Sequence, residues 1–186
     1  MTKLPEKIKT IALESEFRLK EKGSTFISFS KPLETGEDAL SFLSSLKKKY
    51  YPAAHHCYSY QFVDGSFKYS DDGEPGGTAG KRIFNAQNHF ELTNLITVVV
   101  RFYGGVKLGV GPLGKAYYDS AFQCLKSSKI EDMILHRKIE IKYEFEFSNL
   151  IHRLISKYSL VIENNLFEPQ PILICSIPNS LINQFS

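Results

Sequence analysis

The glycines of this chain are concentrated in one part of it: nine of the twelve lie between Gly73 and Gly114. They flank Ile96–Val100, a β-branched run that is typical of a buried central strand. Glycine weakens regular structure, so it is kept where the backbone takes an unusual angle or approaches another group closely. We therefore predict two loops that need unusual backbone angles or close contacts, one on each side of a core strand and each followed by a helix.

The periodicity of the apolar residues predicts an α+β protein of two domains. The first, residues 1–130, reads strand, strand, helix, strand, strand, helix, strand, helix, and its last helix covers Lys115–Ser127. Ser127–Arg137 has no clear period and is predicted to be a linker. The second domain, residues 137–186, reads strand (Ile139–Phe147), helix, strand, strand, helix, which is a ferredoxin-like order without its last strand.

Three local signals support these elements. Thr35 and Asp38 form a capping box that predicts the start of the first helix. Asp64-Gly65 predicts the turn of a hairpin. Thr78 is predicted to cap the helix that follows the first glycine-rich loop.

Composition argues against several classes of protein. With 42% hydrophobic residues, 23% charged residues and a net charge of +3, the chain is an ordinary globular one whose overall charge does not indicate a polyanion partner. Its three cysteines are far apart, which argues against a disulfide framework or a cysteine zinc site and favours the cytoplasm. The N-terminus has no apolar signal region, and the most apolar stretch, Leu95–Val100, is too short to cross a bilayer, so we expect neither secretion nor a membrane span.

The first glycine-rich loop, Ser70–Lys81, superficially resembles a phosphate-binding loop but has the wrong spacing. Counting back from Gly80, the required first glycine is Pro75, and Arg82 stands in place of the hydroxyl residue that binds a metal ion. The loop also carries three carboxylates. Two interpretations of them stay open: hydrogen bonding to amides of the loop and of the helix start, or binding of Mg²⁺ or Ca²⁺.

A histidine and a cysteine close to this loop allow an enzymatic alternative. His55 and Cys57 are two residues apart in a predicted strand and share a face, whereas His56 points to the other face. Such a pair with a nearby carboxylate could serve a small hydrolase or hold a metal ion, although the spacing demands no metal site. A buried structural cysteine beside a hydrogen-bonded histidine is the alternative that we favour. The candidate catalytic residues are His55, Cys57, Asp71, Asp72 and Glu74.

The second loop contains Gly109–Gly114, a match to the dinucleotide-binding fingerprint in the wrong context. Five residues, Gly104–Leu108, separate it from the preceding strand. The chain before it is not a βαβ unit, and too little chain follows to complete a Rossmann sheet. We therefore predict no nucleotide cofactor.

Local charge is more informative than net charge. Between Gly80 and Tyr118 there are five basic residues and one acid, Glu91, with aromatic residues between them. Basic groups, loop amides and aromatic rings suit contact with phosphates and bases. The predicted anion or nucleic-acid contacts are Lys81, Arg82, Arg101, Gly104, Gly105, Lys107 and Lys115. The glycines predicted to shape the loops are Gly73, Gly76, Gly77, Gly80, Gly109 and Gly111.

Together these motifs resemble the IMPACT/YigZ family of translation-associated proteins, from about Phe17 to Leu125. The chain departs from the family pattern at Arg82, which replaces a common proline, and at Pro112 and Gly114, which alter a Gly-Gly-Leu-Val run. The matching motifs are His55–Cys57, Ser70–Pro75, Gly77–Lys81, Val98–Gly105, Lys107–Gly109, Gly111 and Lys115–Tyr117.

The resemblance implies a fold for each domain and a biological setting. The first domain is expected to resemble a small-subunit ribosomal protein domain and domain IV of elongation factor G. The second is expected to resemble domain V of that factor, shortened by about one strand. Eukaryotic relatives act in translational control by competing for the activator of a starvation-responsive kinase, a pathway that bacteria lack. Association with RNA, the ribosome or a translation factor is what the resemblance implies for this chain.

Three functional hypotheses follow. The first is a cytoplasmic binding protein, not an enzyme, that contacts RNA, the ribosome or a translation factor through a glycine-rich basic surface. The second is the hydrolase or metal-dependent enzyme described above. The third is a protein-binding antagonist, which requires an exposed apolar or aromatic patch. If the two loops adjoin, we expect one loop to brace the other and the basic one to face the partner.

Overall fold

The computed structural model of the protein describes residues 5–167 and 170–184 and has the predicted α+β class. These residues form ten strands, four α-helices and two short 3₁₀ helices, over Phe145–Phe147 and Asn179–Gln184. The strands are β1 (Lys7–Ile11), β2 (Ser15–Glu21), β3 (Ser24–Pro32), β4 (His55–Gln61), β5 (Phe67–Ser70), β6 (Leu95–Phe102), β7 (Ile130–Ile134), β8 (His136–Lys142), β9 (Val161–Leu166) and β10 (Ile172–Pro178). The α-helices are α1 (Gly36–Lys49), α2 (Gly80–His89), α3 (Val110–Ser127) and α4 (Ser148–Tyr158).

The chain divides into two compact units. One is Ile8–Asp132, and the other contains the remaining described residues. The segment Ser127–Arg137, predicted to be a linker, instead contains β7, which pairs with β1 in a two-stranded sheet. The backbone N–H of Ala12 donates to the carbonyl of Lys129 at 2.8 Å. The partner strand lies at the opposite end of the unit's sequence, so no local pattern revealed the pairing.

A five-stranded antiparallel sheet forms the centre of the larger unit, in the order β2-β3-β6-β4-β5. Every residue of β6 except Phe102 is buried, which confirms the predicted central strand. Val99 packs into the cluster on one face of the sheet, and Val98 and Val100 pack into the cluster on the other. A strand that is covered on both faces requires such a continuous β-branched run.

Helices cover both faces of this sheet. On one face α2 and α3 pack together, and Tyr117, Ala121 and Leu125 of α3 point into the core as predicted. On the other face Leu43 and Leu46 of α1 contribute to a second cluster. The ends of α2 and α3 that follow the glycine-rich loops therefore lie on the same side of the sheet.

The helix starts follow the predictions in one case and correct them in another. Thr35 and Asp38 form the predicted capping box of α1. At α2 the prediction is wrong: the cap position is Ala79, and the hydroxyl of Thr78 donates instead to the carbonyl of Pro75 at 2.6 Å. The amides at the start of α2 are satisfied by a side chain from earlier in the loop, described below.

Buried polar side chains tie α2 and α3 to the sheet. The hydroxyls of Ser28 on β3 and Ser120 on α3 are hydrogen-bonded at 2.6 Å. Gln87 of α2 accepts a hydrogen bond from the Ser59 hydroxyl and donates to the Thr97 hydroxyl at 3.1 Å. Since each buried polar group has few possible partners, these bonds fix the positions of the two helices on the sheet.

The smaller unit is built on a three-stranded antiparallel sheet in the order β8-β10-β9. With α4 between β8 and β9 in sequence, this is the split-βαβ arrangement that the sequence predicted, and its described residues contain three strands. Ile151 of α4 packs with Leu173, Cys175 and Ile177 of β10.

The strand predicted over Ile139–Phe147 is shorter than expected. It ends at Lys142, and Phe145–Phe147 forms a 3₁₀ helix in which both phenylalanines are largely exposed. The alternation of apolar residues therefore extends past the last residue that pairs with β10. No helix in the described ranges is both long and apolar enough to cross a membrane.

Candidate functional site

The first glycine-rich loop is folded around the carboxylate of Asp71. One of its oxygens accepts hydrogen bonds from the backbone N–H groups of Ala79 and Gly80, each at 2.9 Å. The other accepts from the backbone N–H of Gly77 at 2.9 Å. Asp71 thus caps α2 from eight residues before its N-cap position, where a negative charge is stabilised by the helix dipole. The interpretation of this acid as a partner of loop amides is the one that the geometry fits.

Asp72 attaches the loop to β4. Its carboxylate accepts from the backbone N–H of His56 at 2.7 Å and from the Lys47 ammonium at 3.1 Å. Burial raises the pKa of Asp72, but these two hydrogen bonds, together with electrostatic attraction to Lys47 and His56, hold the pKa below its usual value. The carbonyl of Asp72 lies 2.8 Å from Nδ1 of His55. Because a carbonyl only accepts, this nitrogen carries the hydrogen.

Glu74 joins the two glycine-rich segments. Its side chain is only 4% exposed, and one of its oxygens accepts from Arg101 at 2.6 Å and from the Tyr117 hydroxyl at 2.7 Å. The other oxygen lies 3.8 Å from Nε2 of His55. Arg101 is the last residue but one of the central strand and Tyr117 belongs to α3, so Glu74 of the acidic loop holds the basic segment, and one loop braces the other as predicted.

Arg101 is not an exposed cation. Its side chain is 6% exposed, and besides Glu74 it contacts the Ser24 hydroxyl at 3.4 Å. The guanidinium also lies over the rings of Phe26 and Tyr103, at 5.5 Å and 5.4 Å from their centroids. An anionic partner would have to compete with a buried carboxylate for this residue. The remaining predicted cations are therefore the ones available at the surface.

The enzymatic alternative finds little support in this arrangement. The fold does bring the five candidate catalytic residues close together. However, Cys57 is fully buried, and its thiol donates to the carbonyl of Asp71 at 3.0 Å. Burial raises the pKa of the Cys57 thiol. Burial also raises the pKa of Tyr117, and the adjacent Cys57 thiol and the carboxylate of Glu74 raise it further. His55 is hydrogen-bonded to the loop rather than to the thiol. Within the described residues, no group of three His, Cys, Asp or Glu side chains could hold a metal ion.

We expect none of the three cysteines to react rapidly in the native protein. Cys57, Cys124 and Cys175 are all buried, and burial raises the pKa of each thiol. Reaction with a colorimetric thiol reagent at neutral pH should therefore be slow and should become complete only in denaturant. Rapid modification of Cys57 in the folded protein would contradict its burial and revive the enzymatic alternative.

Exposed cations surround the first turns of α2 and α3. A Cβ added to Gly114 would lie 3.1 Å from Nε of Arg82, which shows that the Arg82 side chain, from the first turn of α2, reaches the fifth residue of α3. Neither turn carries an acidic residue, and α3 has no side-chain cap. Lys81, Lys107 and Lys115 are all exposed, but Lys115 is paired with Asp119. Cations are unfavourable at helix N-termini, so their position here is not explained by helix stability.

The second loop is shorter than predicted because α3 begins at Val110 rather than at Lys115. Pro112 is tolerated there, since the first turn of a helix has no internal acceptor for the N–H that proline lacks. The glycines on either side hid the helical start from the sequence pattern. Three large apolar side chains are exposed here, those of Tyr103 and Val106 in the loop and that of Val110 at the start of α3.

Two glycines are required by close packing. A Cβ on Gly104 would overlap the backbone of Gly23 and Ser24, far inside the 3.0 Å that real Cβ contacts respect. A Cβ on Gly80 would lie 2.7 Å from the backbone of Ser70. Of the other glycines of this region, Gly73, Gly77, Gly105 and Gly109 have positive φ angles, Gly76 and Gly111 have open space around them, and Gly114 faces the Arg82 side chain.

The most important contact that the sequence did not reveal is the acceptor role of Glu74. Tyr117 was expected to face inward, and a buried tyrosine hydroxyl needs a hydrogen-bond partner. That requirement is the available signal, but it does not say which acid provides the acceptor.

Comparisons with known proteins agree on the family of this chain. Residues 22–125 match the family model described as Impact N-terminal domain. An IMPACT family member of Haemophilus influenzae is 34% identical over 171 residues, which cover 89% of this chain and 82% of that protein. The IMPACT family member YvyE of Bacillus subtilis is 30% identical over 171 residues, covering 87% of this chain and 74% of that protein. A crystal structure of a hypothetical protein superposes with a TM-score of 0.81 at 27% identity, covering 98% of this chain and 91% of that one.

Proposed function

The chain belongs to the IMPACT family, and from this premise we propose that it is a translation-associated regulatory protein that binds RNA. It acts in the cytoplasm and uses a surface of its N-terminal domain, residues 1–130. We call this surface the basic edge. It consists of four exposed cations around the starts of α2 and α3: Lys81 and Arg82 of α2, Lys107 in the loop before α3, and Lys115 of α3, which is paired with Asp119.

The adjacency of two positive helix ends is the observation that carries this proposal. The starts of α2 and α3 are close together, since the Arg82 side chain lies against Gly114, the fifth residue of α3. Exposed cations are added there to helix dipoles of the same sign; the carboxylate of Asp71 caps α2, whereas α3 has no side-chain cap. Phosphate groups are the ligands that such an arrangement attracts most strongly.

The buried network beneath the basic edge supports the same proposal. Glu74, Arg101 and Tyr117 hold the end of β6, the acidic loop and α3 in one arrangement. The loop that carries Lys107 is therefore anchored at both ends. A preformed surface loses less conformational entropy when it binds, which favours affinity.

A contact with a protein is the second candidate, and it is favoured by the apolar residues of the second loop. Tyr103, Val106 and Val110 are exposed beside Lys107. Exposed aromatic and aliphatic side chains near a cation suit a protein partner such as a translation factor. Binding to such a protein partner should depend only weakly on salt concentration, whereas binding to RNA should depend on it strongly.

Neutralising two cations of the basic edge should weaken RNA binding. We expect the double variant Lys81→Ala, Arg82→Ala to bind single-stranded RNA about ten-fold more weakly at low salt, with a shallower salt dependence, because two phosphate contacts are lost. Fluorescence anisotropy at low and physiological salt measures both effects. The matched control is Lys48→Ala, Lys49→Ala, which removes the same charge from the exposed end of α1. Equal weakening by both variants would contradict a localised site.

A further inference from the structure

Three aromatic rings, two exposed and one half-buried, form a surface cluster beside the basic edge, and we call it the ring patch: the exposed Phe67 and Tyr69 of β5 and the half-buried Phe84 of α2. Phe67 is 54% exposed and Tyr69 is 40% exposed. The centroid of the Phe67 ring lies 4.9 Å from that of Phe84 and 6.3 Å from that of Tyr69. The ring planes are close to parallel, at 25° and 16° in these two pairs.

The ring patch lies at the outer edge of the sheet, on the side that carries α2. Tyr69 and Phe67 are directly opposite Ser59 and Gln61 of β4, and directly opposite residues share a face. Ser59 and Gln61 are hydrogen-bonded to side chains of α2, so this face is the one that α2 covers. Within the described residues β5 is an edge strand that pairs with β4 alone.

The position of the rings is not explained by packing of the core. The core cluster on this face is filled by Ile83 and Ala86 of α2, whereas Phe67 and Tyr69 remain outside it. Contiguous exposed apolar patches on protein surfaces often mark binding sites.

Charge selects the class of partner. The two elements that form the ring patch contain no acidic residue, and α2 contributes the exposed Lys81 and Arg82; Lys68 of β5 points to the opposite face from Phe67 and Tyr69. Lys81 is three residues before Phe84 and therefore on the same side of the helix. Aromatic rings beside cations suit a partner that carries negative charge along its backbone and flat rings along its side, which is the chemistry of a single-stranded nucleic acid.

We propose that the ring patch stacks on unpaired nucleotide bases while the basic edge holds the phosphates of the same strand. This inference rests on the proposed function, and it adds to it that the RNA partner is single-stranded at the point of contact. Base stacking on aromatic side chains tolerates any sequence, because every base has a flat face. The contact therefore recognises single-stranded character rather than a particular base.

The test compares two polymers of equal charge. Fluorescence anisotropy measures binding of an oligouridylate of about twelve nucleotides and of an abasic ribose phosphate polymer of the same length. The protein should bind the oligouridylate about ten-fold more tightly than the abasic polymer. The variant Phe67→Leu, Tyr69→Leu should lose that difference while its affinity for the abasic polymer stays the same.

Two controls make each result interpretable. The variant Phe145→Leu, Phe147→Leu removes two exposed rings from the smaller unit and should keep the difference between the polymers. Circular dichroism checks that each variant is folded. Equal binding of both polymers by the unmodified protein, or an unchanged difference in the Phe67/Tyr69 variant, would overturn the inference.

The outcomes also separate this inference from the proposed function. Salt-dependent binding that is weakened by Lys81→Ala, Arg82→Ala but is equal for both polymers would leave the proposed function standing and refute stacking. Failure to bind either polymer would refute both and favour the protein partner.

Discussion

Replacing Gly104 by alanine should destabilise the protein by about 3 kcal/mol or more. The new methyl group would overlap the backbone of Gly23 and Ser24 in the turn between β2 and β3. A flexible side chain could move away from it, but backbone in a tight turn cannot do so without displacing its strands. Urea unfolding followed by circular dichroism measures the change.

Gly111→Ala is the matched control for this prediction. Gly111 lies in the first turn of α3, and a Cβ there would meet nothing within 4 Å. Alanine favours helix over glycine by up to about 1 kcal/mol, so this variant should be as stable as the unmodified protein or slightly more so. If Gly104→Ala were equally harmless, the close contact of the two turns would be refuted.

The second large effect is expected from breaking the buried ion pair of Glu74 and Arg101. Each single variant, Glu74→Gln or Arg101→Met, leaves one buried charge without its partner and should cost about 3 kcal/mol or more. The double variant removes both charges. It should therefore be more stable than the sum of the single effects predicts, by at least about 1.5 kcal/mol. Unfolding of all four proteins in urea at neutral pH completes the cycle.

The surface pair of Lys115 and Asp119 provides the comparison. These residues are also oppositely charged and four apart on α3, but Lys115 is exposed. The cycle Lys115→Met, Asp119→Asn should give no coupling that the measurement resolves, since solvent screens the pair. A coupling at Glu74 and Arg101 as small as this would show that Arg101 is not held by the carboxylate in solution.

The Arg101 variant also bears on binding. Because Arg101 is buried, it should not contact RNA directly. Its loss should reduce RNA affinity only indirectly, by making the second loop less ordered. Lys107, which is exposed on that loop, is expected to contact the partner directly. The two variants therefore separate a residue that positions the surface from one that belongs to it.

Much of the fold could be predicted from the sequence, because its strongest signals are local. The β-branched run of Ile96–Val100 indicates a strand covered on both faces, and the structure confirms it. Thr35 and Asp38 form the capping box that their spacing indicates. In each case the residues that carry the pattern also make the contacts.

The features that were missed depend on contacts between distant residues. β7 is short and mostly exposed, and its pairing with β1 joins two segments more than a hundred residues apart. The residues next to Arg101 in sequence predict a surface cation, because the carboxylate of Glu74 is brought to it only by the fold. Asp71 caps a helix that begins several residues later, beyond the range of ordinary capping patterns.

The position of β6 at the centre of the sheet has a consequence for synthesis of the chain. β3 and β4 do not pair with each other, and both hydrogen bond to β6, which is the last of the five strands to be translated. Until then the nascent chain carries two strands with apolar, unpaired edges, a state that is prone to aggregation. The first strand, β1, bridges Leu92 just before β6, but its two-stranded sheet is completed only when β7 has been made. The larger unit can therefore close only when nearly all of its residues have left the ribosome, so premature termination anywhere before β6 leaves a product that cannot fold.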